Sequence, residues 1–457
     1  MPKKKAASNK NPKRSTAIPT LGPAKIASKL PFCRFTRDQD TARIYVDKDL
    51  ASSVGDGSTY MDFQTAGPRE KVYFDPSKTK CAVVTCGGLC PGINDVIRAI
   101  VMEAHHNYDV AATIGIRFGL EGFIAKYGHE IMELTPDSVG SIHQFGGTIL
   151  GSSRGPQSSE EIVDALERMN ISALFMIGGD GTMHAAQALL QEIQQRNLKI
   201  SIIGIPKTID NDISFVGKSF GFDTAVEKAT EAIQCAHTEA TGAYNGIGLV
   251  KLMGRESGFI AAQATLALKE VNFVLVPETK FELHGDFGII PELKNRLKRR
   301  GHAVIVAAEG AGQHLLSTTG EKDPSGNPVL GDICSLLTRE IKEYFKQEQM
   351  PYTLKFIDPS YIIRSVPPNA NDRVYCGFLG QHAVHAAMAG KTGMVVSKLQ
   401  DRYIHLPLEL VTLERRRLNV RSDYWRAVLE STGQKPTPPM TGQAPQCEAQ
   451  EKVLEEG

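Results

Sequence analysis

Residues Pro206-Lys207-Thr208-Ile209-Asp210-Asn211-Asp212 follow the apolar run Ile200–Ile205. They set two carboxylates two residues apart on a loop leaving a buried strand. One can take a proton while the other helps to hold a metal ion, and Lys207 adds a cation beside them. That set suits phosphoryl transfer, where positioning and charge neutralisation do most of the catalysis. Upstream, Gly178-Gly179-Asp180-Gly181-Thr182 closes a second apolar run, Ala173–Ile177. Asp180 is poised at a strand end to bind hydrated Mg²⁺, and Gly181 has no side chain to obstruct a nucleotide's phosphates. Read without context, the same five residues also make a plain turn with a capping aspartate. Two such loops at neighbouring strand ends predict one shared site at the carboxyl edge of a parallel sheet.

Other strand ends carry compatible groups. Gly87-Gly88-Leu89-Cys90-Pro91-Gly92 follows the run Cys81–Cys86 and opens a helix, so its backbone can approach a phosphate and aim N–H groups at it. Met253-Gly254-Arg255 follows Gly248–Leu252, and Arg154 ends Gly151-Ser152-Ser153-Arg154; either guanidinium can neutralise a transferring phosphoryl group. Glu309, after Ala303–Ala308, can accept sugar hydroxyls or simply cap a turn. Tyr361-Ile362-Ile363-Arg364 pairs a phenol with a guanidinium, which suits a phosphorylated sugar.

The elements that must position these loops alternate along the chain. Apolar runs at 81–86, 110–114, 173–177, 200–205, 248–252, 273–276 and 303–308 read as strands. Between and after them, helical patterns run over 93–105, 160–169, 183–196, 224–238, 258–268 and 332–345. Ser158 with Glu161 forms a capping box before one of these helices. This is an α/β chain with mostly parallel sheets, expected in two lobes. At 457 residues there is length for more than one core, and 41% apolar with 23% charged residues is ordinary for a soluble protein. A net charge of +1 gives no reason to expect nucleic acid or a membrane surface as partner. Eight cysteines make no disulfide scaffold, and Cys86 with Cys90 reads as core or loop cysteines rather than half of a zinc site. That usage points to the cytoplasm. The first acidic residue is Asp38, so residues 1–37 form a basic segment expected to be a disordered tail; an organelle transit peptide shares its composition.

Taken together, CGGLCPGIN (86–94), GGTILGSSRG (147–155), GGDGT (178–182), PKTIDND (206–212), LMGR (252–255) and YIIR (361–364) match, in order, the motifs of the phosphofructokinases. The lead-in AGPREKVYF (66–74) and the tail PLELVTLERRRLN (407–419) make the chain resemble the plant- and protist-type ATP-dependent 6-phosphofructokinases. The resemblance implies two Rossmann-like lobes. The nucleotide lobe would take 78–221 and 363–395 and the sugar-phosphate lobe 222–362 and 396–433, with an extension at 38–77 and a loose tail at 434–457. It implies ATP and fructose 6-phosphate as substrates, Mg²⁺ as cofactor, and an allosteric homo-oligomer, commonly a tetramer. By the same resemblance Asp210 is the general base, Asp180 and Asp212 organise the metal, and Thr208, Arg255 and Arg154 act on the transferred phosphate. Gly87, Arg154, Asp180, Gly181, Thr182 and Lys207 would bind ATP. Thr208, Asp210, Met253, Gly254, Arg255, Glu309, Lys355, Tyr361 and Arg364 would bind the sugar phosphate. Pyrophosphate is the competing donor. Gly181 argues for ATP, because pyrophosphate-using relatives typically carry aspartate there; Lys207 is shared with them. A non-catalytic regulatory subunit would be expected to have lost Asp210 or Arg255.

Overall fold

The computed structural model describes residues 15–31, 34–43, 62–317, 320–322 and 326–436. Its larger sheet has seven strands in the order Arg402–Pro407, Met394–Leu399, Ser201–Pro206, Ala173–Gly178, Lys80–Thr85, Ala112–Ile116 and Ile131–Glu133. The five central strands are parallel and the two edge strands antiparallel. Ala173–Gly178 and Ser201–Pro206 are buried along their whole length, as unbroken apolar strands with helices on both faces must be. The second sheet has four parallel strands, in the order Phe273–Leu275, His302–Ala308, Gly246–Leu252 and Thr353–Ile357.

Register sets the level of the loops. Thr85 lies opposite Ile177 and Gly178 opposite Pro206, so three chemistry-bearing loops leave the first sheet side by side. In the second sheet Leu252 lies opposite Ala308, which brings Met253-Gly254-Arg255 level with Glu309.

The lobe boundaries need correction. Met394–Leu399 and Arg402–Pro407 are strands of the seven-stranded sheet, so a division at 395/396 would cut through the first of them. The chain crosses to the second lobe only later. Thr412 Oγ1 still bonds Gln187 of the first lobe at 2.9 Å, whereas Tyr424 OH donates to Gln263 of the second at 2.6 Å.

Both tails are also more ordered than composition suggests. Ile26–Ala27 pairs with Lys71–Val72, the Leu21 amide donates to Gly390 O at 2.8 Å, and Leu30 is buried. Ile18 and Phe35 pack on the core. Just beyond them Asp38 accepts from Lys391 Nζ and Arg69 Nε, both at 2.9 Å. A run without acidic residues can still dock when a few apolar side chains and backbone groups find partners far along the chain. The most basic residues, 1–14, lie outside the described residues. At the other end Gln434 receives the Val274 amide at 2.7 Å and Lys435 pairs with Glu292, so the expected loose tail is anchored at its start. Deleting residues 1–37 is therefore expected to lower the melting temperature by about 2–3 °C, since losing one buried leucine and its backbone partners removes about 2–3 kcal/mol from a chain whose unfolding entropy is large. A thermal scan of the truncated protein checks this, and an unchanged midpoint would mean the segment contributes nothing to the fold.

Candidate active site

A cavity of about 880 Å³ opens at the carboxyl ends of both sheets. It is lined by Gly87, Arg154, Asp180, Gly181, Thr182, Lys207, Thr208, Asp210, Asp212, Met253, Arg255 and Arg364. Glu309 lines a smaller adjoining hollow of about 140 Å³, which shares Arg255 and also holds Lys251 and Asp332. Groups as far apart in sequence as Gly87 and Arg415 thus meet because strand order, not chain order, decides which loops are neighbours.

The Pro206–Asp212 loop is cross-braced. Lys207 Nζ donates to Gly88 O at 2.7 Å, tying it to the glycine loop, and burial lowers the pKa of its ammonium. Thr208 Oγ1 donates to Asp212 Oδ1 at 2.8 Å and is 3.1 Å from the Asp210 amide. Asn211 adopts a left-handed φ of 56°, and its Oδ1 accepts from the Ser219 amide at 3.0 Å. Ser257 Oγ donates to Asp210 O at 2.9 Å, which links the loop to the second lobe. Asp210 Oδ1 is left buried with no hydrogen-bond partner. Such an atom is costly to leave unpaired and suited to receive a hydroxyl proton. Burial raises the Asp210 pKa, and the nearby Asp212 and Glu309 carboxylates push it further the same way. Asp212 is raised too, chiefly by burial, with Asp180 adding repulsion and Thr208 and Arg415 opposing it.

The Gly178–Thr182 motif proves to be a helix start. The helix runs Asp180–Gln195, three residues earlier than the apolar pattern predicts, because its first turn faces the cavity and has nothing apolar to show. Amides of a first helical turn lack intrahelical partners and make a ready site for phosphate. A Cβ added at Gly181 would meet nothing within 4 Å, so this position opens into free space. Gly87 has a φ of 83°, which favours glycine on backbone grounds. A Cβ at Gly88 would point at Arg154 Nη2 and Arg364 Nη1, 3.6 and 3.7 Å away, so these two guanidiniums flank the glycine loop. The Ser158 cap is present, its side chain accepting from the Glu161 amide at 3.3 Å. Cys86 and Cys90 are buried; burial pushes Cys86 up to about 12 and Cys90 higher still, which marks them as inert core thiols.

Three expected sugar-site residues, Gly254, Lys355 and Tyr361, are not among the residues lining the cavity or its adjoining hollow. Lys355 lies in the edge strand Thr353–Ile357, half-exposed and 3.7 Å from Glu239. Spacing from the motif cannot tell that its side chain points away from the strand end. Tyr361 is exposed, with the Arg364 guanidinium 4.7 Å from its ring centroid. Other lining residues were not legible as such, including Arg415, Asn327 and His184. Arg415 donates to Asp180 from Nε and Nη2 at 3.3 and 3.2 Å. The sequence signal for it is the triplet Arg415–Arg417, which gives charge without address.

The carboxylates fit a divalent cation. No group of three or more His, Cys, Asp or Glu side chains among the described residues is arranged to hold a metal alone. A cation at Asp180 and Asp212 would complete its shell with water and phosphate oxygens. Mg²⁺ is usually held that way, by one or two carboxylates plus substrate.

The phosphofructokinase family model matches residues 80–387, more than half of the chain. This chain belongs to the phosphofructokinase family. A curated relative from Borreliella burgdorferi named ATP-dependent 6-phosphofructokinase is 51% identical over 387 residues, covering 83% of this chain and 87% of the relative. Another from Arabidopsis thaliana, named ATP-dependent 6-phosphofructokinase 5, chloroplastic, is 49% identical over 369 residues, covering 81% of this chain and 68% of the relative. Among solved structures, a pyrophosphate-dependent phosphofructokinase from Marinobacter aquaeolei superposes with a TM-score of 0.63 at 19% identity. It covers 80% of this chain and 95% of that one, and it speaks to the shared fold alone. Among the described residues, no helix is long and apolar enough to cross a membrane.

Proposed function

We propose that this chain is an ATP-dependent 6-phosphofructokinase, a phosphotransferase with an alcohol acceptor that converts fructose 6-phosphate to fructose 1,6-bisphosphate. The observation that carries this reading is the meeting of Asp210, with its unpartnered buried oxygen, and the cations Lys207, Arg154 and Arg255 in one cavity open at Gly181. Asp210 takes the proton of the sugar's 1-hydroxyl as that oxygen attacks the γ-phosphorus. The bond to the β,γ-bridging oxygen breaks and ADP leaves. Arg154 and Arg255 balance the charge spreading over the transferring group, and the Thr208 hydroxyl exchanges its bond to Asp212 Oδ1 for one to that group. The Asp180, Gly181 and Gly88 amides receive the remaining phosphates, those of Gly87 and Thr182 being held by Ser153 O and Gly179 O. Asp180 and Asp212 would hold a Mg²⁺ ion, which would supply further neutralisation of phosphate charge. Glu309, Met253 and Arg364 bound the sugar phosphate. A coupled assay with fructose 6-phosphate and either ATP or pyrophosphate tests the reading; turnover with neither donor would reject it.

Arg364 gives the sugar site its sharpest test. Replacement by alanine removes a charge-assisted contact of ~1.5–3 kcal/mol, so KM for fructose 6-phosphate is expected to rise roughly ten- to hundredfold. A change confined to the KM for ATP would show that Arg364 serves the donor instead.

We also propose a homo-oligomer, a tetramer by family habit, working in the cytoplasm. The support is an exposed apolar surface of Phe145, Tyr361, Ile362, Val374 and Phe378. Phe145 belongs to it because a Cβ on the adjacent Gly146 would lie 1.9 Å from Ser365 O, which places that loop against the segment following Tyr361 and Ile362. Sedimentation equilibrium should give a mass above one chain, and Phe378→Asp should shift it downward; a monomeric wild type would reject the assembly.

A further inference from the structure

Arg415 stands in a place that the reaction alone does not explain. Its backbone is pinned to the catalytic loop: the Arg416 amide donates to Asp212 O at 2.8 Å, Ile213 and Arg415 form an antiparallel bridge, and Ser214 Oγ donates to Glu414 O at 2.6 Å. Its two arginine neighbours point elsewhere. Arg416 bonds the carbonyls of Val216 and Gly217, at 3.1 and 2.8 Å, and lies over the Phe259 ring, while Arg417 pairs with Glu256. Only Arg415 enters the cavity. There it grips Asp180 through two nitrogens and also reaches Asn327 Oδ1 at 3.3 Å. Asp180 is one of the two carboxylates assigned to the divalent cation, so the guanidinium on its Oδ2 and a cation would compete for the same carboxylate.

We propose that Arg415 is an exchange latch of the nucleotide site. In the resting site it neutralises Asp180. A divalent cation arriving on that carboxylate repels the guanidinium from Asp180 Oδ2. Because the catalytic loop fixes its backbone, the side chain stays inside the cavity, and its planar fork of donors turns to the nearest anion, a nucleotide phosphate. Arg415 is thus a positioning residue toward Asp180 and a phosphate ligand once nucleotide is present. The inference rests on the assignment of this cavity to ATP and Mg²⁺.

The test uses the full chain and reads binding rather than turnover. Mn²⁺ alone is titrated by electron paramagnetic resonance, and ATP is titrated calorimetrically with EDTA present and again with Mg²⁺. Relative to wild type, Arg415→Ala is expected to bind Mn²⁺ alone roughly three- to tenfold more tightly, because a competing cation is gone. The same variant should bind ATP about tenfold more weakly or worse, because a charge-assisted phosphate contact is gone. A merely structural ion pair would weaken both ligands or neither. Unchanged or weaker Mn²⁺ binding, or unchanged ATP binding, in a folded variant overturns the latch. If Arg415→Ala does not fold, Arg415→Gln, which keeps an amide donor near Asp180 without the charge, carries the same two titrations. A wild type that binds no ATP at all would instead reject the nucleotide-site reading on which the latch depends.

Discussion

Asp210→Asn is expected to fold as wild type does and to lose ~10²–10⁴ in kcat, the usual range for removal of a general base. The structural basis is specific. Two of the bonds that fix this residue use its main chain, the Asp210 amide with Thr208 Oγ1 and Asp210 O with Ser257 Oγ, and the Arg255 amide bonds its carboxylate. Its Oδ1 has no partner, so an isosteric amide can place its nitrogen there and keep the bond from the Arg255 amide through its oxygen. The substitution also removes one of several mutually repelling carboxylates, which burial and Asp212 already hold toward the protonated state. Melting temperature should therefore be kept or slightly raised while turnover collapses, and the KM values for both substrates should change little. Steady-state kinetics beside a thermal scan decide the matter. Near-normal turnover in the folded variant would remove Asp210 from the role of base.

Gly181→Asp is expected to cost at least about a hundredfold in activity with ATP, equivalent to ~2.7 kcal/mol. Wild type is expected to use ATP with Mg²⁺ and to turn over pyrophosphate negligibly. A nucleotide carries an α-phosphate and a nucleoside beyond the two phosphates that both donors share, and something must leave room for them. A Cβ at 181 would touch nothing within 4 Å, so the new side chain enters the cavity without straining the fold. It would set a second carboxylate beside Asp180 and turn like charge toward the α-phosphate, in a site where exclusion of water strengthens the repulsion. Lys207 discriminates weakly, because its ammonium lies under the glycine loop on Gly88 O and can serve either donor. Rates with both donors settle this: efficient pyrophosphate use by wild type would overturn the donor assignment and leave the sugar site standing.

The strand-end loops are legible in the residues alone. Apolar runs such as Ala173–Ile177 and Ile200–Ile205 mark buried parallel strands, because a strand covered on both faces needs no polar alternation. Glycine, aspartate and lysine directly after them can only sit at the carboxyl edge. Gly87, Asp180, Asp210, Arg255 and Glu309 were therefore found as groups at strand ends, and the order of their motifs identified the family. Features that depend on pairing across long separations emerge only in the folded chain. Met394–Leu399 joins the first sheet because it lies beside Ser201–Pro206, which no local pattern announces. Residues 15–31 and 34–37 dock because Leu30 and the Ile26–Ala27 backbone find distant partners, despite a composition that reads as a tail. The helix start at Asp180 was hidden because a turn that faces a ligand cavity carries no apolar stripe. Lys355 and Arg415 make the same point from opposite sides: a strand's pleat turns the first away from the cavity, and a crossing segment pinned to Asp212 delivers the second into it. Side-chain direction and long-range register are properties of the folded chain, and both sites of charge were settled there.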